Sequence, residues 1–154
     1  AGAKSILDLP ATCEVLETQG IPVIGYQTSE LPGFFTRSSG LPVDYRVESP
    51  QEAAKNALNT WDAGIKTSIL LVVSPSEETA LPADEVETAI ETALKEAHDL
   101  NIYGAAITPF LLKRVSELTG GESMQANLAL LKNNARVAAQ AAKAMGNLNK
   151  AVAL

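Results

Sequence analysis

Apolar positions along the chain change period several times, and each change marks an element. Ile6 to Thr18 carries a helical pattern, with Asp8 placed to cap it and Pro10 near the first turn, where a missing N–H costs nothing. Gly20 stops that helix. Ile21 to Tyr26 (IPVIGY) reads as a short apolar strand bounded by turn residues. Gln27 to Leu41 has no period and holds two glycines, a proline and the pair Phe34-Phe35. Val43 to Val47 alternates weakly, as an edge strand does. Ser49-Pro50-Gln51-Glu52 combines a serine cap, proline at the first helical position and glutamate three residues after the cap, so a helix runs from there to Ala63 and ends at Gly64. Thr67 to Val73 (TSILLVV) is apolar nearly throughout and predicts a central strand covered on both faces.

Ser74 to Pro82 is a polar loop. Asp84 to Asp99 is helical, with Val86, Ile90, Leu94 and Ala97 as its apolar stripe. Ile102 to Ala106 links it to a helix that Thr108-Pro109 should cap and Gly120-Gly121 should close after Leu118. The last helix runs from Ser123 to about Met145. Met124, Leu128, Leu131, Ala135, Ala138 and Ala142 recur along it at spacings of three and four, and the tail from Gly146 is expected to fray. Helix, strand, strand, helix, strand and three helices predict layered α/β architecture with a helical C-terminal end. Three strands are a thin sheet for so much helix. A missing N-terminal segment or another chain is expected to complete it. The segment Ala1-Gly2-Ala3-Lys4, with no initiator Met, reads as the interior of a longer sequence.

Composition narrows the function classes. Apolar residues are 46% and charged residues 19% of the 154, a globular balance. The longest apolar run, Ile69 to Val73, is far short of the roughly 20 residues of a membrane span, and no membrane partner is expected. A net charge of -6 argues against wrapping a nucleic-acid polymer but leaves room for a single nucleotide, whose phosphate needs few donors. One cysteine, Cys13, precludes an internal disulfide and suits a reducing compartment such as the cytoplasm. With no Cys or His near it in sequence, it reads as an apolar residue rather than a nucleophile. The only histidine, His98, falls in the last turn of a helix, where a cation is favourable and a structural role suffices. Cys and His alone cannot build a zinc site here. Glu77, Glu78, Glu85, Glu87 and Glu91 read as a solvated face.

Four stretches, in order, carry a resemblance: AGAKSILDLPATCEVLETQGIPVIGYQT at 1–28, LPGFFTRSS at 31–39, ITPFLLKRVSELTGGES at 107–123 and ANLALLKNNA at 126–135. They resemble the pseudouridine-5'-phosphate glycosidase family, also called indigoidine synthase A-like, and they correspond to the C-terminal half of a typical member. The resemblance implies that residues 1–154 are the C-terminal half of a single domain with that family's α/β/α fold, incomplete without the N-terminal half. It also implies reversible cleavage of the C–C glycosidic bond of pseudouridine 5'-phosphate to uracil and ribose 5-phosphate. The lysine of the GAKSILD stretch, here Lys4, is the covalent catalyst in that family. Cutting a C–C bond to a base would expel a carbanion, so in the family route the amine adds to the anomeric carbon of the opened sugar and uracil leaves after protonation at its ring carbon. On the residues alone, Lys4 is an ordinary lysine near a chain end.

Asn127 aligns with a family asparagine that hydrogen-bonds the nucleotide, and an amide can both donate to and accept from a uracil edge. Asn134 lies two helical turns further along, on the same face. Asn133 and Asn134 are poor helix formers at mid-helix, which points to a purpose or to plain solvation. Thr108-Pro109 could present amide groups to an anion, or simply cap its helix. Arg37 could meet a phosphate or a partner subunit.

The family's general-acid glutamate, its phosphate-binding lysine and the aspartate that serves a divalent metal, usually Mn2+, lie upstream of the GAKSILD stretch. No metal ligand is therefore expected in this chain, and alone it is expected to be inactive. Gly64 to Ser76 also departs from the family: of its Asn-Pro-x-Pro loop only Pro75 matches. That leaves two other readings open, a C-glycosynthase acting on another aromatic acceptor and a non-catalytic subunit of the same fold. Assembly is expected as a homo-oligomer, a trimer by resemblance, or with a chain that supplies the N-terminal half. The Phe34-Phe35 pair, read as exposed, would fit such burial.

Overall fold

The computed structural model describes residues 2–3 and 8–152, the last four of them as backbone only. Its elements are α1 (Leu9–Thr18), β1 (Val23–Tyr26), β2 (Tyr45–Val47), α2 (Pro50–Asp62), β3 (Leu70–Val73), α3 (Ala83–Asp99), a 3-10 turn (Gly104–Ala106), α4 (Ile107–Leu118) and α5 (Glu122–Val152). Two of the caps read from sequence, Asp8 and Ser49, are in place. Asp8 Oδ1 accepts from the Ala11 N–H at 3.0 Å, and Ser49 Oγ accepts from the Glu52 N–H at 3.2 Å. The Glu52 carboxylate reaches back to the Glu48 N–H at 2.8 Å, one residue before the cap.

Among the described residues the sheet has the order β2-β1-β3, and both pairings are parallel, with Ile24 opposite Tyr45 on one side and Leu71 on the other. The middle strand is therefore β1. The expectation that Thr67 to Val73 forms the central strand is corrected: the strand is Leu70–Val73 and lies to one side. Its apolar run reflects cover above and below the sheet, which is independent of whether strands flank it on both edges.

Alternation sorts the strand residues onto two faces. Val23 and Val72 face α1 and the 31–43 loop, packing with Leu31, Leu9, Cys13 and Leu16. Ile24 and Val47 face the other way, with Ala53 of α2, and Ile69 and Leu71 pack there too. Ala141 and Met145 of α5 close a small apolar cavity on that same face. The result is α/β/α layering. A third cluster joins Phe35 to α3 (Val86, Ala89, Ala93, Ala97), α4 (Leu111, Val115) and Ala126 of α5.

Several helix faces differ from the pattern reading. On α3 the inward residues are Val86, Ala89, Ala93 and Ala97, while Leu94 is 39% exposed. Alanines four apart let α3 and α4 approach closely along one ridge, and the larger side chain is displaced outward. On α5 the inward residues are Ser123, Ala126, Leu130, Val137 and Ala144. The expected stripe of Met124, Leu128, Leu131, Ala135, Ala138 and Ala142 is exposed. The helix also continues through Gly146 to Val152 instead of fraying. One interior glycine costs only about 1 kcal/mol, and the Ala, Leu and Lys residues after it favour helix. Thr108 is not a cap: α4 grows out of the 3-10 turn, and its cap position is Ala106, with no side-chain cap bond. Phe34 and Phe35 are not an exposed pair. Phe35 is buried, Phe34 is half-buried, and their rings meet edge to face with centroids 4.7 Å apart. Among the described residues no helix is long and apolar enough to cross a membrane.

One ion-pair network ties α3 to α4. Arg114 grips Glu96 with Nε–Oε2 at 2.5 Å and Nη2–Oε1 at 2.9 Å, and its Nη1 reaches Glu117 at 3.0 Å. The hydrogen bonds from Arg114 hold the Glu96 carboxyl below its ordinary value of 4.5. A carboxyl held down by folding stabilises the fold above that ordinary value and loses this contribution as pH falls through its folded value. Urea midpoints measured from pH 6 down to pH 3 should therefore fall more steeply for the native chain than for Arg114→Met. Parallel curves would show that the pair adds nothing to stability.

Candidate functional site

Parallel sheets leave their crevice at the carboxyl ends of the strands. There β1 runs into Gln27, which takes a left-handed φ of 56°. Its N–H donates to the Val47 carbonyl at 2.8 Å and its side-chain Nε2 to the Glu48 carbonyl at 3.1 Å, so the exits of β1 and β2 are tied together. Gly25 makes the turn possible. A Cβ at that position would stand 2.1 Å from the Thr28 carbonyl oxygen, so the chain folds back onto its own strand where only glycine fits.

The 31–41 segment, irregular by sequence, is held firmly. Leu31, Pro32 and Gly33 are buried. Ser39 Oγ donates to the Leu31 carbonyl at 2.6 Å, and the Glu30 carboxylate accepts from the Ser38 hydroxyl and from the Gly40 N–H. The loop leaving β3 is stitched to it. The Leu81 N–H donates to the Phe35 carbonyl at 2.9 Å, and Arg37 pairs with Glu77 at 2.6 Å. Arg37 is thus engaged by a neighbouring loop, as is Glu77 of the acidic run.

Between these loops, α1 and α3 lies a cleft of about 440 Å³. Leu9 and Ile90 give it an apolar side, Thr36, Ser38 and Ser39 supply hydroxyls, and Glu91 stands at its rim. The hydrogens of these hydroxyls are engaged within the loops, so toward a ligand they offer acceptor lone pairs beside an apolar wall, which suits the hydroxyl donors of a sugar. Sequence reasoning quoted the segment containing Thr36, Ser38 and Ser39 but assigned those residues no role. Their signal was legible as a hydroxyl-rich run between two glycines.

A larger cavity of about 610 Å³ lies at the opposite, amino ends of the strands, beside Cys13, Ile21, Pro22, Asp44 and Thr67. Burial, and then the charge of Asp44, push the Cys13 thiol up, away from the thiolate a nucleophile needs. Cys13 is half-buried among Val23, Leu31 and their neighbours, as an apolar residue would be.

Lys4 lies outside the described residues; Leu9, five positions on, lines the 440 Å³ cleft. Asn127 and Asn134 are half-buried on one flank of α5. The loop 78–82 and Glu122, Gln125 and Ala126 of α5 line a separate cavity of about 290 Å³, and neither asparagine lines it. Neither asparagine lines the cleft beside Leu9. Asn133 accepts a hydrogen bond from Arg136 at 2.7 Å, a local reason for its position. His98 is exposed beside Asp99. Among the described residues no three His, Cys, Asp or Glu side chains gather as a metal site, so these residues do not fit Mn2+ and no chemical step is assigned to it.

Residues 1–144 match the family model described as indigoidine synthase A like protein. The chain is 53% identical over 150 residues to a pseudouridine-5'-phosphate glycosidase of Caldanaerobacter subterraneus subsp. tengcongensis, covering 97% of this chain and 49% of that protein. Its fold is similar to a prealnumycin C-glycosynthase solved in complex with ribulose 5-phosphate, with a TM-score of 0.88 at 36% identity, covering 97% of this chain and 49% of the other. It is also similar to an indigoidine synthase A-like protein of Thermotoga maritima, with a TM-score of 0.82 at 39% identity, covering 92% and 46%. The chain spans about half the length of the curated relatives it matches.

Proposed function

Because this chain belongs to the indigoidine synthase A like family, we propose that it forms part of an enzyme that reversibly cleaves pseudouridine 5'-phosphate to uracil and ribose 5-phosphate, with Lys4 as the covalent catalyst. The observation that carries this reading is 53% identity across nearly the whole chain to a relative of that name. At that identity a shared pocket chemistry is the simplest expectation.

In the proposed step the bond from the anomeric carbon to the ring oxygen breaks, that oxygen takes up a proton, and the Lys4 amine adds to the anomeric carbon. The C–C bond to the base then breaks as the nitrogen lone pair forms an imine to that carbon. The electron pair of the broken bond passes to the ring carbon of uracil, which takes up a proton, and water hydrolyses the imine to return the amine and ribose 5-phosphate. The reading puts the Lys4 amine into the cleft whose wall includes Leu9, five positions on in sequence. Asn127 and Asn134 are proposed to bind the nucleotide, with any Mn2+ held by residues outside these 154.

A second reading is favoured by the 0.88 TM-score to a C-glycosynthase, together with the departure of Gly64 to Ser76 from the family loop. It keeps the lysine chemistry and changes the acceptor. Borohydride reduction in the presence of ribose 5-phosphate tests both readings against a non-catalytic subunit. This chain, completed by the other half of the Caldanaerobacter relative, should gain the mass of a reduced sugar phosphate on the peptide containing Lys4. Release of uracil from pseudouridine 5'-phosphate then distinguishes glycosidase from C-glycosynthase. A folded, completed domain with no adduct would overturn the proposal.

A further inference from the structure

The long helix α5 has three faces rather than two. Ser123, Ala126, Leu130, Val137 and Ala144 face the core. Gln125, Lys132, Arg136 and Lys143 carry its charge and polarity to another side. Between them, on the side away from the core, run Met124, Leu128, Leu131, Ala135, Ala138 and Ala142, all exposed; the three large residues are 48%, 50% and 56% exposed. Their spacing alternates four and three, which is the seam of a helix that packs along its length against a partner. A solvated face would mix charges into such a row, and this one has none. Its alanine half would let a partner backbone come close.

We infer that this stripe is an interior surface of the complete family domain, covered by the half of that domain that these 154 residues do not supply. The occupant follows from the comparisons of length. The whole of this architecture corresponds to 49% of the Caldanaerobacter relative and 49% of the solved C-glycosynthase, so those proteins hold about as much polypeptide again. A second copy is a poorer occupant. One stripe two side chains wide falls short of the roughly 800 Å² per partner that a stable dimer buries. A half-domain is not limited to the stripe, because it can spread over neighbouring faces as well.

The placement also bears on the site. Asn127 and Asn134 lie on the flank between the stripe and the packed face, so whatever covers the stripe closes over both amides. A nucleotide they hold sits at the seam between the two halves.

The inference rests on family membership and fold, not on the proposed activity, and its test reads accessibility rather than turnover. In a Cys13→Ala background, Leu131→Cys and Leu128→Cys are made in the 154-residue chain and in the same chain completed by the other half of the Caldanaerobacter relative. Lys143→Cys on the charged side is the control. The rate of labelling by a soluble thiol reagent should fall about tenfold or more at 131 and 128 on completion, and stay unchanged at 143. Equal rates at 131 and 128 in both proteins, with the completed one unfolding cooperatively, would overturn the inference. So would protection already present in the 154-residue chain that grows with its concentration, which would make a second copy the occupant.

Discussion

Lys4→Ala, made in this chain completed by the other half of the Caldanaerobacter relative, is expected to lower kcat for uracil release by on the order of 10³-fold or more, the scale on which loss of a covalent nucleophile falls. The unfolding midpoint should hardly move. Lys4→Arg should fail equally. Its guanidinium stays charged at any accessible pH and has no lone pair to offer, so retention of positive charge alone does not rescue. An ordinary lysine, with a pKa of about 10.4, is neutral in only about one molecule in 2,500 at pH 7. A site that uses the amine must therefore lower that value by burial or a nearby cation. The rate should rise with pH to a plateau reached well below 10, and the residual rate of Lys4→Ala should lack that rise. If Lys4→Ala keeps more than a tenth of the activity, the attacking group is another residue.

The sequence carried this fold unevenly, and the reasons are physical. Helix starts were legible because Asp8 and Ser49 have local jobs that a linear reading can see, and both caps are made as expected. The strands were legible as apolar runs, but their order was not. Whether β1 or β3 takes the middle depends on pairing between residues about fifty apart, and both are apolar enough for either place.

The helix faces were the least legible. α5 carries two apolar stripes, one of Ala126, Leu130 and Val137 and one of Met124, Leu128 and Leu131, and periodicity does not say which turns inward. The larger side chains suggested one answer, and close packing of small residues produced the other. Of the site, Asn127 and Asn134 were reached through resemblance. Thr36, Ser38 and Ser39 stand in the sequence as a hydroxyl-rich run between two glycines, but a loop without periodicity does not show that they share one cleft wall until it is folded.

Two glycines at the strand exits should respond very differently to a single methyl group. At Gly25 the added Cβ would meet the Thr28 carbonyl oxygen at 2.1 Å, with the Thr28 carbonyl carbon and Cγ2 at 3.1 Å. Backbone cannot turn aside as a side chain does. The whole turn would have to move, and with it the two Gln27 hydrogen bonds that hold the exits of β1 and β2 together. Gly25→Ala should cost about 3 kcal/mol, the upper part of the overpacking range. At Gly33 the added Cβ would meet the Thr36 hydroxyl at 2.2 Å, the end of a side chain that can rotate. The loss there is the bond from Thr36 Oγ1 to the Ser38 carbonyl, now 2.9 Å, worth about 1 kcal/mol. Urea unfolding of both variants, with Thr36→Ala and the double variant Gly33→Ala/Thr36→Ala, separates the two mechanisms. The double variant should be no less stable than Thr36→Ala alone, because the clash and the lost bond share one hydroxyl. A Gly25→Ala chain as stable as Gly33→Ala would mean that the turn after β1 yields freely. The carboxyl-end loops would then be too loosely held to shape the cleft beside Leu9.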